Sequence, residues 1–218
     1  MRAGHIIYKV NDLDKAVEEW KSRGFEIEYG TSDNPYNALI YFSEGPYIEI
    51  LAKAGTPKIG DEVLNLEGLR DVEKRFNYYE AAKEGWIGFC IEKDPGTLME
   101  EIKYFENKGI DGIYADNAKR IDPEGRELKF KLFFPNEFNL PFLMSDFELN
   151  PRKENFIHPN GVRSIAKLSF KTKKECINIL KDLVDDSRLE IIETEDDYEI
   201  SNIILEMENG NLKNIEEI

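Results

Sequence analysis

Cysteine and histidine are scarce. Two of each occur in 218 residues: Cys90, Cys176, His5 and His158. With no CxxC or comparable spacing, zinc-finger, iron–sulfur and disulfide-scaffold architectures are excluded. Both cysteines lie in apolar stretches, WIGFCIE and ECINIL, and are expected to be buried, reduced packing thiols. Long hydrophobic runs are also missing. None approaches the ~20 residues needed to cross a bilayer. The apolar part of MRAGHIIYKVND is too short for a secretory signal, so a cytoplasmic protein is expected. Positive charge is in deficit, with 29 Lys and Arg against 44 Asp and Glu and a net charge of −15. Such a chain repels phosphate backbones and anionic lipid, so neither nucleic acid nor membrane is an expected partner. The nearest basic pair, Lys129 and Lys131, alternates along a predicted strand and reads as one solvated face.

What is present is a repeat. HIIYKVNDLDKAVEEWKSRGFEIEY at 5–29 matches WIGFCIEKDPGTLMEEIKYFENKGIDGI at 86–113 in its order of features. Each starts with a short apolar strand and then places an Asp, Asp12 or Asp94, where a helix should begin. In the second copy Pro95 suits the first helical position. Leu13, Ala16, Val17 and Trp20 recur at helical spacing, as do Leu98, Ile102 and Phe105. Gly24 and Gly109 can end the two helices in the left-handed conformation. Three strands follow in each copy, near 24–30, 37–43 and 46–52, and near 109–115, 127–134 and 140–147. The order β, α, β, β, β therefore occurs twice, over 1–52 and 86–147. Residues 53–85 link the copies through a polar loop and a predicted helix near Arg70 to Lys83. From 162 to 218 a strand, a helix beginning at Thr172 and two further strands suggest a partial βαββ module. The polar end, from Glu208 to Ile218, is expected to be weakly ordered.

HIIYKVNDLDKAVEEWKSRGF, NALIYF and YIEIL resemble the first module of the vicinal oxygen chelate superfamily, the glyoxalase and bleomycin-resistance group. WIGFC, Pro123-Glu124-Gly125, Phe134-Pro135, LPF at 140–142 and HPNG at 158–161 are similar to its glyoxalase-like domain branch. The resemblance covers about residues 4–162. It implies an α+β fold in which paired βαβββ modules form a curved mixed sheet around a cavity. Residues 1–161 would carry that domain and 162–218 the partial module. It also implies a small-molecule ligand, in some members a homodimer around it, and often a divalent metal held by the first and last strands of each module.

Strand alternation places Ile6, Tyr8 and Val10 under the first helix and turns His5, Ile7 and Lys9 the other way. Tyr47, Glu49 and Leu51 share a face on the fourth strand. His5 and Glu49 can therefore meet in the cavity, at the first-module ligand positions of the superfamily, as an acid–base pair or as metal ligands. Lys9, Asn37, Tyr41 and Tyr47 are the expected polar contacts to a ligand, with Ile87 and Phe89 as apolar walls. Aligning Asp12 with Asp94 sets Ile87 opposite His5, and aligning the closing strands sets Leu143 opposite Glu49. Neither apolar residue ligates a metal. No tightly bound cofactor is expected, only a weak divalent ion at His5 and Glu49 at most. His158 reads as a turn or cap residue and Trp86 as core. Three functions stay open: a glyoxalase-like enzyme using His5 and Glu49, a ligand-sequestering protein, and a structural or interaction module.

Overall fold

In the computed structural model, which describes residues 1–53, 58–59, 62–63, 65 and 67–218, the two repeats become matching halves of one curled sheet. The first half runs β1 (Arg2–Lys9), α1 (Leu13–Ser22), β2 (Glu28–Tyr29), β3 (Asn37–Ile40) and β4 (Tyr47–Leu51). A two-stranded hairpin, β5 (Lys58–Ile59) and β6 (Glu62–Val63), and the helix α2 (Arg70–Ala81) come next. The rest of the expected polar loop lies outside the described residues. The second half runs β7 (Gly85–Lys93), α3 (Met99–Asn107), β8 (Gly112–Ile121), β9 (Glu127–Pro135) and β10 (Phe142–Ser145). Together they give eight strands in the order β2-β3-β4-β1-β7-β10-β9-β8. In each half the closing strand returns parallel to the first, β4 beside β1 and β10 beside β7, while β1 and β7 join the halves antiparallel.

Local chemistry explains the helix ends. The Asp12 carboxylate accepts the Lys15 N–H at 3.0 Å, capping α1, which buries Leu13, Ala16, Val17 and Trp20 as their spacing requires. Gly24 and Gly109 follow α1 and α3 at φ of 82° and 77°, conformations that cost a side chain strain. The second helix starts later than its Asp94-Pro95 pair suggests, at Met99, with Leu98 in the capping position. Asp94 instead accepts a hydrogen bond from Arg2 at 2.8 Å.

The sheet separates two apolar layers. On the outer face Ile6, Tyr8 and Val10 pack with α1, α3 and the C-terminal segment. On the inner face Ile7, Leu51, Ile87, Phe134, Phe142 and Met144 pack with Val72 and Tyr79 of α2. Two register shifts mark the β1–β7 seam. Tyr8 pairs with Trp86 and Ile7 with Gly88, which leaves Ile87 extra on β7. Ile6 pairs with Phe89 and Ala3 with Ile91, which leaves Gly4 and His5 together opposite Cys90. Such bulges break two-residue alternation and re-aim side chains.

The C-terminal segment folds as β11 (Val162–Thr172), α4 (Lys174–Leu183), β12 (Leu189–Glu193), β13 (Glu199–Met207) and β14 (Leu212–Asn214), a separate sheet in the order β12-β11-β13-β14. The expected βαββ order is there, but the pairing differs from the first two modules. β12 lies parallel beside β11, whereas β2 and β8 run to the far edges of their halves. Thr172 ends β11 rather than starting the helix, and its hydroxyl donates to the Asn139 carbonyl at 2.5 Å. This sheet packs on the outer face of the first. Phe170 meets Phe89 with ring centroids 5.2 Å apart, and the buried Tyr198 hydroxyl donates to the Ile87 carbonyl at 2.5 Å. The end of the chain is more ordered than its polarity suggests. Ile215 is buried, and the Arg23 guanidinium donates to the carbonyls of Ile215 and Ile218. Among the described residues, no helix is long and apolar enough to cross a membrane.

Candidate functional site

The inner face of the sheet encloses a cavity of about 210 Å³. Phe130, Phe134, Phe142 and Phe147 form much of its apolar wall, and His5, Asn37, Glu49 and Arg120 are among its polar lining. β1 brings His5 and β4 brings Glu49. The His5 ring is held from several sides. Tyr47 stacks on it with centroids 4.8 Å apart, and Phe142 meets it edge-on at 5.3 Å. Its Nδ1 lies 3.1 Å from an oxygen of Glu92. Its Nε2 faces Glu49 at 3.7 Å, too long for a hydrogen bond. The other Glu49 oxygen accepts from the Asn37 amide at 2.7 Å.

Glu92 is the residue that sequence reasoning missed. It follows an apolar run and reads as the exposed end of a strand, yet it is 1% exposed. Beyond the bulge, Cys90 and Glu92 share the inner face of β7 while Phe89 and Ile91 face outward. Gly4 makes the approach possible, because a Cβ there would sit 2.3 Å from the Glu92 Cγ. The second Glu92 oxygen is buried without a hydrogen-bond partner, with the Arg152 guanidinium 3.8 Å away. Gly4, which lies with His5 opposite Cys90, leaves the space that the Glu92 side chain fills.

The structure brings four of the expected site residues to the cavity: His5, Asn37, Tyr47 and Glu49. Burial pushes the Tyr47 hydroxyl well up, with Glu92 adding to it. Tyr41 lines a neighbouring cavity of about 310 Å³, where its hydroxyl accepts from Arg120 at 2.7 Å. Two others are placed elsewhere. The Lys9 ammonium is tied to the Ala52 carbonyl at 2.6 Å, and Phe89 packs in the outer core. Ile87 reaches the inner face although Phe89 does not, because the bulge separates them. His158 is a buried clamp. Its Nδ1 accepts the Glu26 N–H at 3.0 Å and its Nε2 faces the Tyr41 carbonyl at 3.1 Å. Those partners fix the neutral Nε2–H tautomer, and burial lowers its pKa to about 4.

The strands also correct one of the expected equivalences. His5 pairs with Tyr47 across β1 and β4, and Cys90 pairs with Phe142 across β7 and β10. Ile87 packs in the inner layer, as the expected counterpart of His5 should, and Cys90 joins that layer beyond the bulge. On β10 it is Met144, not Leu143, that lines the cavity with Glu49. Leu143 belongs to the outer core and Met144 to the inner one. His5, Cys90 and Glu92 each offer a ligand atom within 4.8 Å of the others and form a group that could hold a metal ion. Burial pushes the Cys90 thiol well up, whereas a metal ligand must be the thiolate.

A family model described as Glyoxalase-like domain matches residues 4–183. The chain belongs to the glyoxalase-like domain family. Its curled eight-stranded sheet with a second, four-stranded sheet is the α+β architecture expected of such a member. A hypothetical protein from Staphylococcus aureus is similar over 89% of this chain and 86% of that one, at 18% identity and a TM-score of 0.57, which shows the fold alone. A methylmalonyl-CoA epimerase from Streptomyces coelicolor is similar at 16% identity over 67% of this chain and 97% of that one, with a TM-score of 0.42. One from Mycobacterium tuberculosis is similar at 12% identity over 69% and 89%, with a TM-score of 0.40. No curated protein matches the chain in sequence.

The donor set of this glyoxalase-like domain does not assemble one open metal centre of the kind its superfamily implies. Glu92 stands against Nδ1 of His5 and Glu49 opposite Nε2. The lone pairs of the two ring nitrogens diverge, so a single ion cannot use both. On the cavity side that leaves His5 and Glu49, while a catalytic site normally has about three protein ligands.

Proposed function

We propose that this glyoxalase-like domain is a small-molecule enzyme that moves a proton on a bound ligand, with His5 as the base. The observation that carries this reading is the pairing of the His5 ring with two carboxylates that do different things. Glu92 accepts the Nδ1 proton at 3.1 Å and so leaves the Nε2 lone pair facing the cavity. Glu49 stands 3.7 Å from Nε2, too far for a hydrogen bond between them, so both can face one ligand group from the same side. His5 takes the proton at Nε2 and becomes an imidazolium flanked by Glu92 and Glu49. Returning that proton to another atom of the ligand completes an isomerisation with no net change in oxidation state. Base catalysis of this kind is worth about 10²–10⁴-fold. Asn37 holds Glu49 by one oxygen and keeps the other free.

Proton exchange in D₂O tests the reading directly. Small carbonyl compounds incubated with the protein should take up deuterium at the carbon next to the carbonyl, followed by NMR. His5→Gln should abolish uptake. Glu92→Gln, which no longer fixes the tautomer, should lower it by about 10²-fold. A compound that raises the melting temperature without exchanging any proton would assign ligand sequestration instead.

A further inference from the structure

We propose that Arg120 is the anion anchor of the cavity and that the ligand is a small carboxylate with an apolar, preferably aryl, body; this rests on the same cavity being the ligand site. In a chain of net charge −15, the cavity that holds Glu49 is also lined by two cations, Lys119 and Arg120. Arg120 is the ordered one. Its side chain is 12% exposed, and one terminal nitrogen donates to the Gly30 carbonyl at 2.6 Å while the other donates to the Tyr41 hydroxyl at 2.7 Å. Its guanidinium carbon lies 5.4 Å from the centre of the Phe147 ring. Both hydrogen-bond acceptors are neutral, so they fix the fork without cancelling its charge. The nearest carboxylate, Glu28, is 3.9 Å away, beyond hydrogen-bond distance, and one of its oxygens is buried without a hydrogen-bond partner. Two of the five guanidinium N–H groups are thus used by acceptors among the described residues. A held guanidinium with donors to spare is the geometry that grips a carboxylate on two bonds.

The position of Arg120 sets the ligand's shape. Arg120 and His5 are linked through Tyr41 and Tyr47, whose rings are 5.0 Å apart, with Tyr47 a further 4.8 Å from His5. An anion held by Arg120 therefore lies apart from the base rather than against it. The Glu49 carboxylate disfavours the reverse orientation. Phe130, Phe134, Phe142 and Phe147 line the same cavity, with Phe142 against His5 and Phe147 against Arg120, and its volume of about 210 Å³ accepts one ring and a short chain. One guanidinium with a carboxylate already at 3.9 Å suits a singly charged acid better than a phosphate dianion.

Calorimetric binding of 3-phenylpropanoate and of its neutral amide tests this. Wild-type protein should bind the acid at least about 10-fold more tightly than the amide. Arg120→Gln should weaken the acid by about 30-fold or more while leaving the amide within about 3-fold. Arg120→Lys, which keeps the charge but not the fork, should fall between. His5→Gln should remove proton exchange while the preference for acid over amide stays, so the anchor and the catalysis fail separately. Equal affinity of the wild type for acid and amide, binding of neither, or loss of both alike in Arg120→Gln would overturn the anchor.

Discussion

The His158 clamp makes acid stability a test of the fold at the seam between the first module and the segment that enters the C-terminal sheet. The neutral ring joins the Glu26 N–H to the Tyr41 carbonyl and is 2% exposed. Its pKa falls from 6.5 to about 4, chiefly through burial. The lowered value means that the unfolded chain binds the proton more readily. The clamp's contribution is therefore complete above pH 6.5 and is lost as pH falls towards 4. One proton shared between those two values costs about 2 kcal/mol of stability between pH 7.5 and pH 5, and about 3 kcal/mol once both states are protonated. Urea unfolding of the wild type and of His158→Asn at pH 7.5 and pH 5 isolates the effect, because titrating carboxylates common to both proteins cancel in the difference. Asn can still accept from Glu26 but cannot span to Tyr41, so the variant should be about 1–2 kcal/mol less stable at pH 7.5. At pH 5 the gap should close or reverse. A gap that stays the same at both values would show that the ring does not stay neutral in the fold.

Three further outcomes follow from the packing. Gly4→Ala should cost about 1–3 kcal/mol and reduce proton exchange as Glu92→Gln does, because the new Cβ displaces the Glu92 side chain; full stability with full exchange would show that the close approach is unimportant. Removing residues 162–218 uncovers Phe89 and the outer face around it and should cause aggregation, whereas a soluble truncated chain melting at the full-length temperature would show that the sheet is an appendage. Elemental analysis of protein purified without added metal should find far less than one transition-metal ion per chain, and a stoichiometric ion lost in His5→Ala would restore a metalloenzyme.

Much of the fold was legible because its signals are local. Asp12, the Leu13–Trp20 spacing and Gly24 state where a helix begins, what it buries and where it ends, and three strands after each helix state the module. The helix in the linker, Arg70–Ala81, followed from the same periodicity. The site was legible only in its first half. His5, Asn37, Tyr47 and Glu49 obey simple alternation along β1, β3 and β4. In the second half alternation fails at Ile87, where an unpaired residue shifts the register, so counting along the strands placed Phe89 and Leu143 on the cavity side although both belong to the outer core. Arg120 was invisible for a different reason. It sits on β8 among Lys119 and exposed residues, and only the closure of the sheet turns it towards Tyr41. The C-terminal pairing was also out of reach, since a βαββ order does not say whether the strand after the helix lies beside the first strand or at the far edge.

The same bulges bear on what the cavity is for. A carboxylate as buried as Glu92 ordinarily has a strong partner, since an uncompensated buried charge is costly by several kcal/mol. Here one oxygen meets His5 and the other meets no hydrogen-bond donor, with Arg152 held off at 3.8 Å. A neutral imidazole satisfies that carboxylate only through a single hydrogen bond. An imidazolium would satisfy it far better, by a charge-assisted bond at the same geometry. The proposed proton transfer would put that charge-assisted bond where the single hydrogen bond now stands. Interactions that strengthen as the reaction proceeds lower a barrier, while equal ones only tighten binding. The proposed proton transfer would draw on that difference, and the absence of a side chain at Gly4 is what lets the Glu92 carboxylate stand against His5.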